Sequence, residues 1–268
     1  MEQVAAEPGR PHRLLAEERR QKIQEIIEQN GRITVEGIVA KFEVSAVTAR
    51  ADLDVLSERG DLIRSHGGAV RQLNPAVDYP VRFKETIHHA EKVRIGHAAA
   101  RLVKPHQSII LDSGSTTAQV ARHLKSARIL PLTVITNAMN IVYELAESES
   151  ISLIMIGGIL RPASSSFVGP QAERMLQDLH ADHFFLAVDG LHPDEGFSTP
   201  DILEAQLNNV MIRVANEVTV VADASKFNRR SLSLIGKIQC AQRIITDSRV
   251  DEEMVAKLRA KGLEVIVV

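Results

Sequence analysis

The hexapeptide Asp112-Ser113-Gly114-Ser115-Thr116-Thr117 combines the residue types from which proteins build anion sites. It follows an apolar run, Ile109-Ile110-Leu111, and opens a helical pattern. Backbone N–H groups, hydroxyls and a helix N-terminus would therefore converge there, an arrangement that favours a phosphate. Asp112, at the end of the run, would accept from a sugar hydroxyl. An ordinary capped turn uses the same residue types; the strand–loop–helix setting favours the anion site. Polar residues also stand where other apolar runs end: Asn137 after Ile135-Thr136, Gly157 and Gly158 after Met155-Ile156, and Asp189-Gly190 after Ala187-Val188. In an open α/β sheet those carboxyl ends border the ligand crevice, although any one of these residues alone would suit a turn. Lys226, in Ala222-Asp223-Ala224-Ser225-Lys226-Phe227, is a candidate partner for phosphate or hydroxyl.

A second set of residues suits double-stranded DNA. Ser45, Thr48 and Arg50 fall in the first turns of a short helix, where polar side chains and arginine reach base edges or phosphates in a major groove. Val47 shares the outward face of that helix with Arg50, Ala51 and Asp54, because Ala49, Leu53 and Leu56 share the inward one. Arg64 and His66, near a Gly-rich tip, would contact backbone or minor groove, with Arg19 and Arg20 flanking. A winged helix used for protein contacts would share this pattern.

The elements that must position these residues follow from periodicity. A helical pattern runs from Leu15 to Gln29 and stops at Asn30-Gly31. Thr34 caps a second helix, Glu43-Val44 turns the chain, and Ser45 caps a third that ends near Gly60. Leu62–Val70 reads as two short strands, which completes the order of a winged helix-turn-helix over residues 15–71. Two prolines without periodicity mark 71–80 as a linker. From 81 to 268 an amphipathic segment, about Glu85 to Val103, precedes alternating strands and helices. The strands are Ser108–Leu111, Leu132–Thr136, Ile151–Ile156, Phe184–Val188, Val218–Ala222, Arg243–Thr246 and Glu264–Val267, and the alternation implies a mostly parallel sheet covered on both faces.

Composition narrows the function classes. With 44% hydrophobic residues, 25% charged and no apolar run of membrane length, the chain reads as a globular protein of the cytoplasm, without a signal peptide or membrane partner. A lone Cys240 excludes an internal disulfide. His88, His89 and His97 lack the spacing of a metal set, and neither a metal nor a cofactor is expected. Charge gives the DNA reading no support: the net charge is −2, and the first 75 residues hold as many acids as bases to within one, so the case rests on helix spacing.

From Arg19 to Leu53 the chain resembles the DeoR-family helix-turn-helix, through Arg19, Ile23 and Ile27, then Ser45-Ala46-Val47-Thr48-Ala49-Arg50-Ala51-Asp52-Leu53, and later Arg64-Ser65-His66-Gly67-Gly68-Ala69. The family often carries arginine where Ala51 stands, so one outward contact is expected to be missing. Residues 81–268 resemble the family's sensor domain, a Rossmann-like α/β fold similar to ribose-5-phosphate isomerase. The matching residues are Asp112 to Thr117, Thr136-Asn137, Gly157-Gly158, Asp189-Gly190, Glu204 and Asp223 to Phe227. Leu160-Arg161, Ser164 to Glu173 and Ser225 to Arg229 look closest to the N-acetylgalactosamine repressor branch.

The resemblance implies a repressor of a carbohydrate-catabolism operon. It would act as a homodimer or homotetramer on double-stranded operator DNA and be released by a small phosphorylated sugar, for that branch an amino-sugar phosphate. The rival is a sugar-phosphate isomerase or deaminase with an accessory N-terminal domain. Such chemistry needs a base and an enediolate partner. The isomerase resemblance would place a lysine in the turn Phe197-Ser198-Thr199-Pro200 and a glutamate near Asn208, and neither is present.

Overall fold

In the computed structural model, residues 14–59, 61–65, 67–71, 78–127 and 131–268 are described. The chain divides into two compact units, Met1–Leu73 and Asn74–Val268.

The first unit contains α1 (Ala16–Asn30), β1 (Arg32–Thr34), α2 (Val35–Phe42), α3 (Ala46–Glu58), β2 (Leu62–Ser65) and β3 (Gly68–Arg71). Each helix boundary has a local cause. Gly31 N–H bonds Ile27 O at 2.8 Å and closes α1. Thr34 accepts from Gly37 N at the start of α2, Ser45 from Thr48 N at the start of α3, and Glu43 turns between them at φ 50°. Ile23, Ile27, Ile38, Ala49, Leu53 and Leu56 form the core. The sheet has three strands in the order β1-β3-β2, one more than the periodicity predicts. Arg32-Ile33-Thr34 is too short to show alternation and becomes a strand by pairing with Val70, Ala69 and Gly68.

The second unit begins earlier than residue 81. Within the predicted linker, Tyr79 is buried and stacks near Phe83, and Asp78 pairs with Arg161. The predicted amphipathic segment is two helices, α4 (Val81–Thr86) and α5 (His89–Ala100), separated at His88, which has φ 51°. There follow β4 (Ser108–Leu111), α6 (Ser115–Ala127), β5 (Leu132–Thr136), α7 (Met139–Leu145), β6 (Ile151–Met155), β7 (Ile159–Arg161), β8 (Ser166–Val168) and α8 (Pro170–Gln177). The chain continues through β9 (Ala181–Ala187), β10 (Gly190–His192), β11 (Gly196–Thr199), α9 (Ile202–Val214), β12 (Ala215–Val221) and β13 (Ser233–Gly236). It ends with β14 (Arg243–Thr246), α10 (Glu252–Ala260) and β15 (Glu264–Val267).

Seven of these strands form one parallel sheet, ordered β15-β14-β12-β9-β4-β5-β6. Strand alternation divides the apolar side chains between its two faces. Ile110, Phe184 and Leu186 pack with Leu176, Leu207 and Leu258 of α8, α9 and α10. Ile109, Leu111 and Phe185 pack with Ile95, Val120 and Ile141 of α5, α6 and α7. Burial on both faces explains why these strands read as continuous apolar runs. The short β7–β8 pair and the β10-β11-β13 sheet lie outside that pattern. No helix among the described residues is long and apolar enough to cross a membrane.

Candidate functional site

On the first unit, the N-terminal turns of α3 present the expected DNA-facing residues. Val47 is 75% exposed, and Ser45, Arg50, Ala51 and Asp54 are also exposed. Thr48 is half-buried and shares a 2.9 Å hydrogen bond with Ser45 Oγ. Arg64 braces the β2–β3 hairpin, donating to Gly68 O at 2.9 Å while its Nε lies 2.9 Å from Asp54. His66 lies outside the described residues. The expectation for Arg19 is corrected: it is buried, and its Nε donates to Asp52 Oδ2 at 2.6 Å. Arg20 donates to the other oxygen of Asp52 at 2.9 Å and also pairs with Glu17. Asp52 is a buried carboxylate on α3, and two guanidiniums from α1 neutralise it, so this pair of arginines first serves to dock α1.

The second unit holds a narrow cleft at the carboxyl ends of β4 and β9, lined by side chains from sites far apart in the chain. Ser113, Gly114, Ser115 and Thr116 supply the start of α6, and Asp189, Glu204 and Lys226 face them. Those seven come from the sequence reading. Lys84, Ser164 and Thr199 also line the cleft and carry no sequence signal of their own. Lys84 falls just before the amphipathic segment predicted from about Glu85, and only the tertiary fold turns it inward.

Five expected residues do not line the cleft. Asp112 is fully buried, and both its carboxylate oxygens accept from Ala187 N at 3.1 Å, so it joins β4 to β9 and offers nothing to a sugar hydroxyl. Thr117 Oγ1 donates to Asp112 O at 2.9 Å and shapes the loop from within. Asn137 donates to Phe167 O at 2.8 Å and holds β8. Gly157 N–H faces Met175 Sδ at 3.4 Å, and Gly158 serves the chain path: at its φ of 154° an added Cβ would meet Val168 O at 2.6 Å. Gly114 has a similar steric cause inside the cleft, since a Cβ there would lie 2.6 Å from that of Ala187.

The cleft's charges are shared. Lys84 Nζ lies 2.9 Å from one oxygen of Asp189, and Lys226 Nζ lies 3.0 Å from the other. Although burial works against its charge, these two ammonium groups hold the Asp189 carboxyl far below the usual carboxylate range. Glu204 moves the opposite way, pushed up to about 7 by burial against the opposing pull of Arg161, whose Nη1 is 3.0 Å away. Arg161 also pairs with Asp201 at 3.1 Å and with Asp78. Behind them Lys92 is 3% exposed and donates to the carbonyls of Lys84 and Ile87, which pins the end of α4; burial lowers its amine to about 8. Thr199 is 2% exposed, and its Oγ1 has no hydrogen-bond partner among the described residues. No group of His, Cys, Asp and Glu among the described residues could hold a metal ion.

A model of the DeoR-like helix-turn-helix domain matches residues 19–73, and one of the DeoR C terminal sensor domain matches residues 87–248. The chain belongs to the DeoR family. It is 40% identical over 253 residues to a protein of Escherichia coli O157:H7 named "Putative aga operon transcriptional repressor", covering 94% of this chain and 93% of that one. It is 34% identical to the transcriptional repressor AccR of Agrobacterium fabrum, with 91% and 96% of the two chains covered. Among solved structures, ribose 5-phosphate isomerase A from Methanocaldococcus jannaschii aligns over 52% of this chain and 55% of its own, at 20% identity and a TM-score of 0.40. This DeoR-family chain is a DNA-binding transcriptional repressor, and the relatives that span its length are named regulators rather than enzymes.

Proposed function

We propose that the protein represses a carbohydrate-catabolism operon and leaves its operator when a small phosphorylated sugar enters the cleft. The observation that carries this reading is the convergence of Lys84 and Lys226 on one carboxylate beside the start of α6. A phosphate arriving there meets two ammonium groups, several hydroxyls and unpaired helix N–H groups, and it can take Asp189's place as their anion. The hydroxyls of Thr199 and Ser113 and the Glu204 carboxyl remain to orient a polyol. An amino-sugar phosphate is the finer class we propose, because Asp189 and Glu204 supply acceptors for an ammonium. The first unit, as part of a homodimer or homotetramer, presents α3 to the major groove.

Isothermal titration with ribose 5-phosphate, fructose 6-phosphate and glucosamine 6-phosphate, beside their unphosphorylated sugars and inorganic phosphate, tests the ligand class. Saturation at a hundred times the dissociation constant should add about 2.7 kcal/mol of thermal stability. Equal binding of phosphorylated and unphosphorylated sugars, or of neither, would overturn it.

A further inference from the structure

One ion-pair hub among the described residues of the second unit is absorbed neither by the DNA surface nor by direct contact with a ligand phosphate. Arg161, at the end of β7, has a side chain only 10% exposed and binds three carboxylates from two parts of the chain. Asp201 caps α9 and Glu204 lies one turn further along it, facing the cleft. Asp78 opens the segment that runs through Tyr79 and Pro80 into α4, and α4 carries Lys84. That segment is a strap held along its length: Asp78 by Arg161, Val81 N by Ala163 O at 2.6 Å, Lys84 by Asp189, and its far end by Lys92. Residue 78 also follows directly on residues 72–77, through which the chain reaches the DNA-binding unit.

We propose that Arg161 is a positioning residue for induction: by tying Asp78 to the Glu204 edge of the cleft, it passes ligand occupancy along the strap toward the DNA-binding unit. The proposal rests on the sugar-phosphate reading above. Lys84 sits 2.9 Å from Asp189 and 3.8 Å from Asp78, so an anion that draws Lys84 inward weakens its hold on both. Glu204 and Lys84 line the same cleft, and Arg161 joins that edge to the strap's first residue. Asp78 is shared between Lys84 and Arg161, so a shift of Lys84 changes how it is held; without Arg161 it loses its tie to the Glu204 edge. Two states of one network, each favoured by a different ligand, are what linkage between sites requires.

The test uses the full chain, a DNA duplex enriched from random sequence by the wild-type protein, and the tightest-binding sugar phosphate of the set above. In wild type the sugar phosphate should weaken duplex binding by roughly 5- to 150-fold. Asp78→Asn and Arg161→Gln should each bind the sugar phosphate within about tenfold of wild type, and the duplex within about threefold, yet show coupling below about threefold. Arg161→Lys, which keeps a charge, should recover part of it. Asp78→Asn leaves Arg161 with two carboxylates and keeps the test open if Arg161→Gln fails to fold. Full release in Asp78→Asn overturns the proposal, as does loss of coupling explained by loss of sugar-phosphate affinity. Sugar-phosphate binding to wild type without release overturns it while leaving the ligand class standing; no binding at all removes both.

Discussion

On α3 the residues placed for DNA stand in solvent, whereas in the cleft Asp189, Glu204 and Lys226 are withdrawn from it and share one another's charges. The two regions spend their polar groups differently. Val47 and Arg50 are exposed beside a helix whose stability comes from Ala49, Leu53 and Leu56 on the other face. Changing them leaves that packing untouched. In the cleft a carboxylate bridges two lysines, and behind it an arginine gathers three carboxylates, so each group sets the charge of the next. Independent contacts suit a surface that reads a sequence, and coupled ones suit a site that must change state.

The largest expected effect tests the one place where the first unit behaves like the cleft. Asp52→Ala strands the buried Arg19 and should cost the helix-turn-helix about 3–5 kcal/mol, seen as early loss of its helical signal in urea; a loss comparable to that of a surface pair would show the ion pair to be dispensable. Next, Lys226→Met removes one of the two ammonium groups at Asp189 and should weaken sugar-phosphate binding about 100-fold by titration calorimetry, with duplex affinity unchanged.

A smaller effect concerns pH. Glu204 holds its proton up to about 7 in the folded chain, above its ordinary 4.5, so its contribution to stability is present below pH 4.5 and is lost as pH rises through 7. Glu204→Gln should flatten the fall in melting temperature between pH 5 and 7.5, by the equivalent of about 1–2 kcal/mol. Asp112 shifts in the same direction through its own burial and leaves a residual slope; a variant with the wild-type slope would deny Glu204 this role. The smallest effect belongs to the exposed surface. Arg50→Ala should leave folding within about 0.5 kcal/mol, lower duplex affinity about tenfold and reduce the salt slope by about one.

The same contrast explains what the sequence could show. The three helices of the first unit and the seven strands of the large sheet were legible because caps and apolar periods are local, and Ser45 and Gly31 mark their boundaries without help. The exposed side of α3 follows from the same periodicity. The role of Arg19 is hidden from local sequence because its partner Asp52 lies on another helix. In the cleft, loop residues such as Ser113 and Ser115 are local and visible, but Lys84 and Arg161 acquire their roles only from carboxylates distant in sequence. Asp112 and Asn137 were expected at the ligand for their position at strand ends, and that position is what lets them bond neighbouring backbone instead.

The order of the large sheet carries a consequence for synthesis. Its central strand β9 inserts between β4 and β12, and Ile109 must wait for His183 before that edge of β4 is paired. The helix-turn-helix closes its contacts within the first stretch of chain, while β4, β5 and β6 leave the ribosome as half a sheet with an open apolar edge. Long-range parallel pairing of this kind is slow and exposed to aggregation. A nascent chain stalled before Ala181 would already hold every helix and strand of the first unit, attached to a sensor sheet that still lacks its central strand.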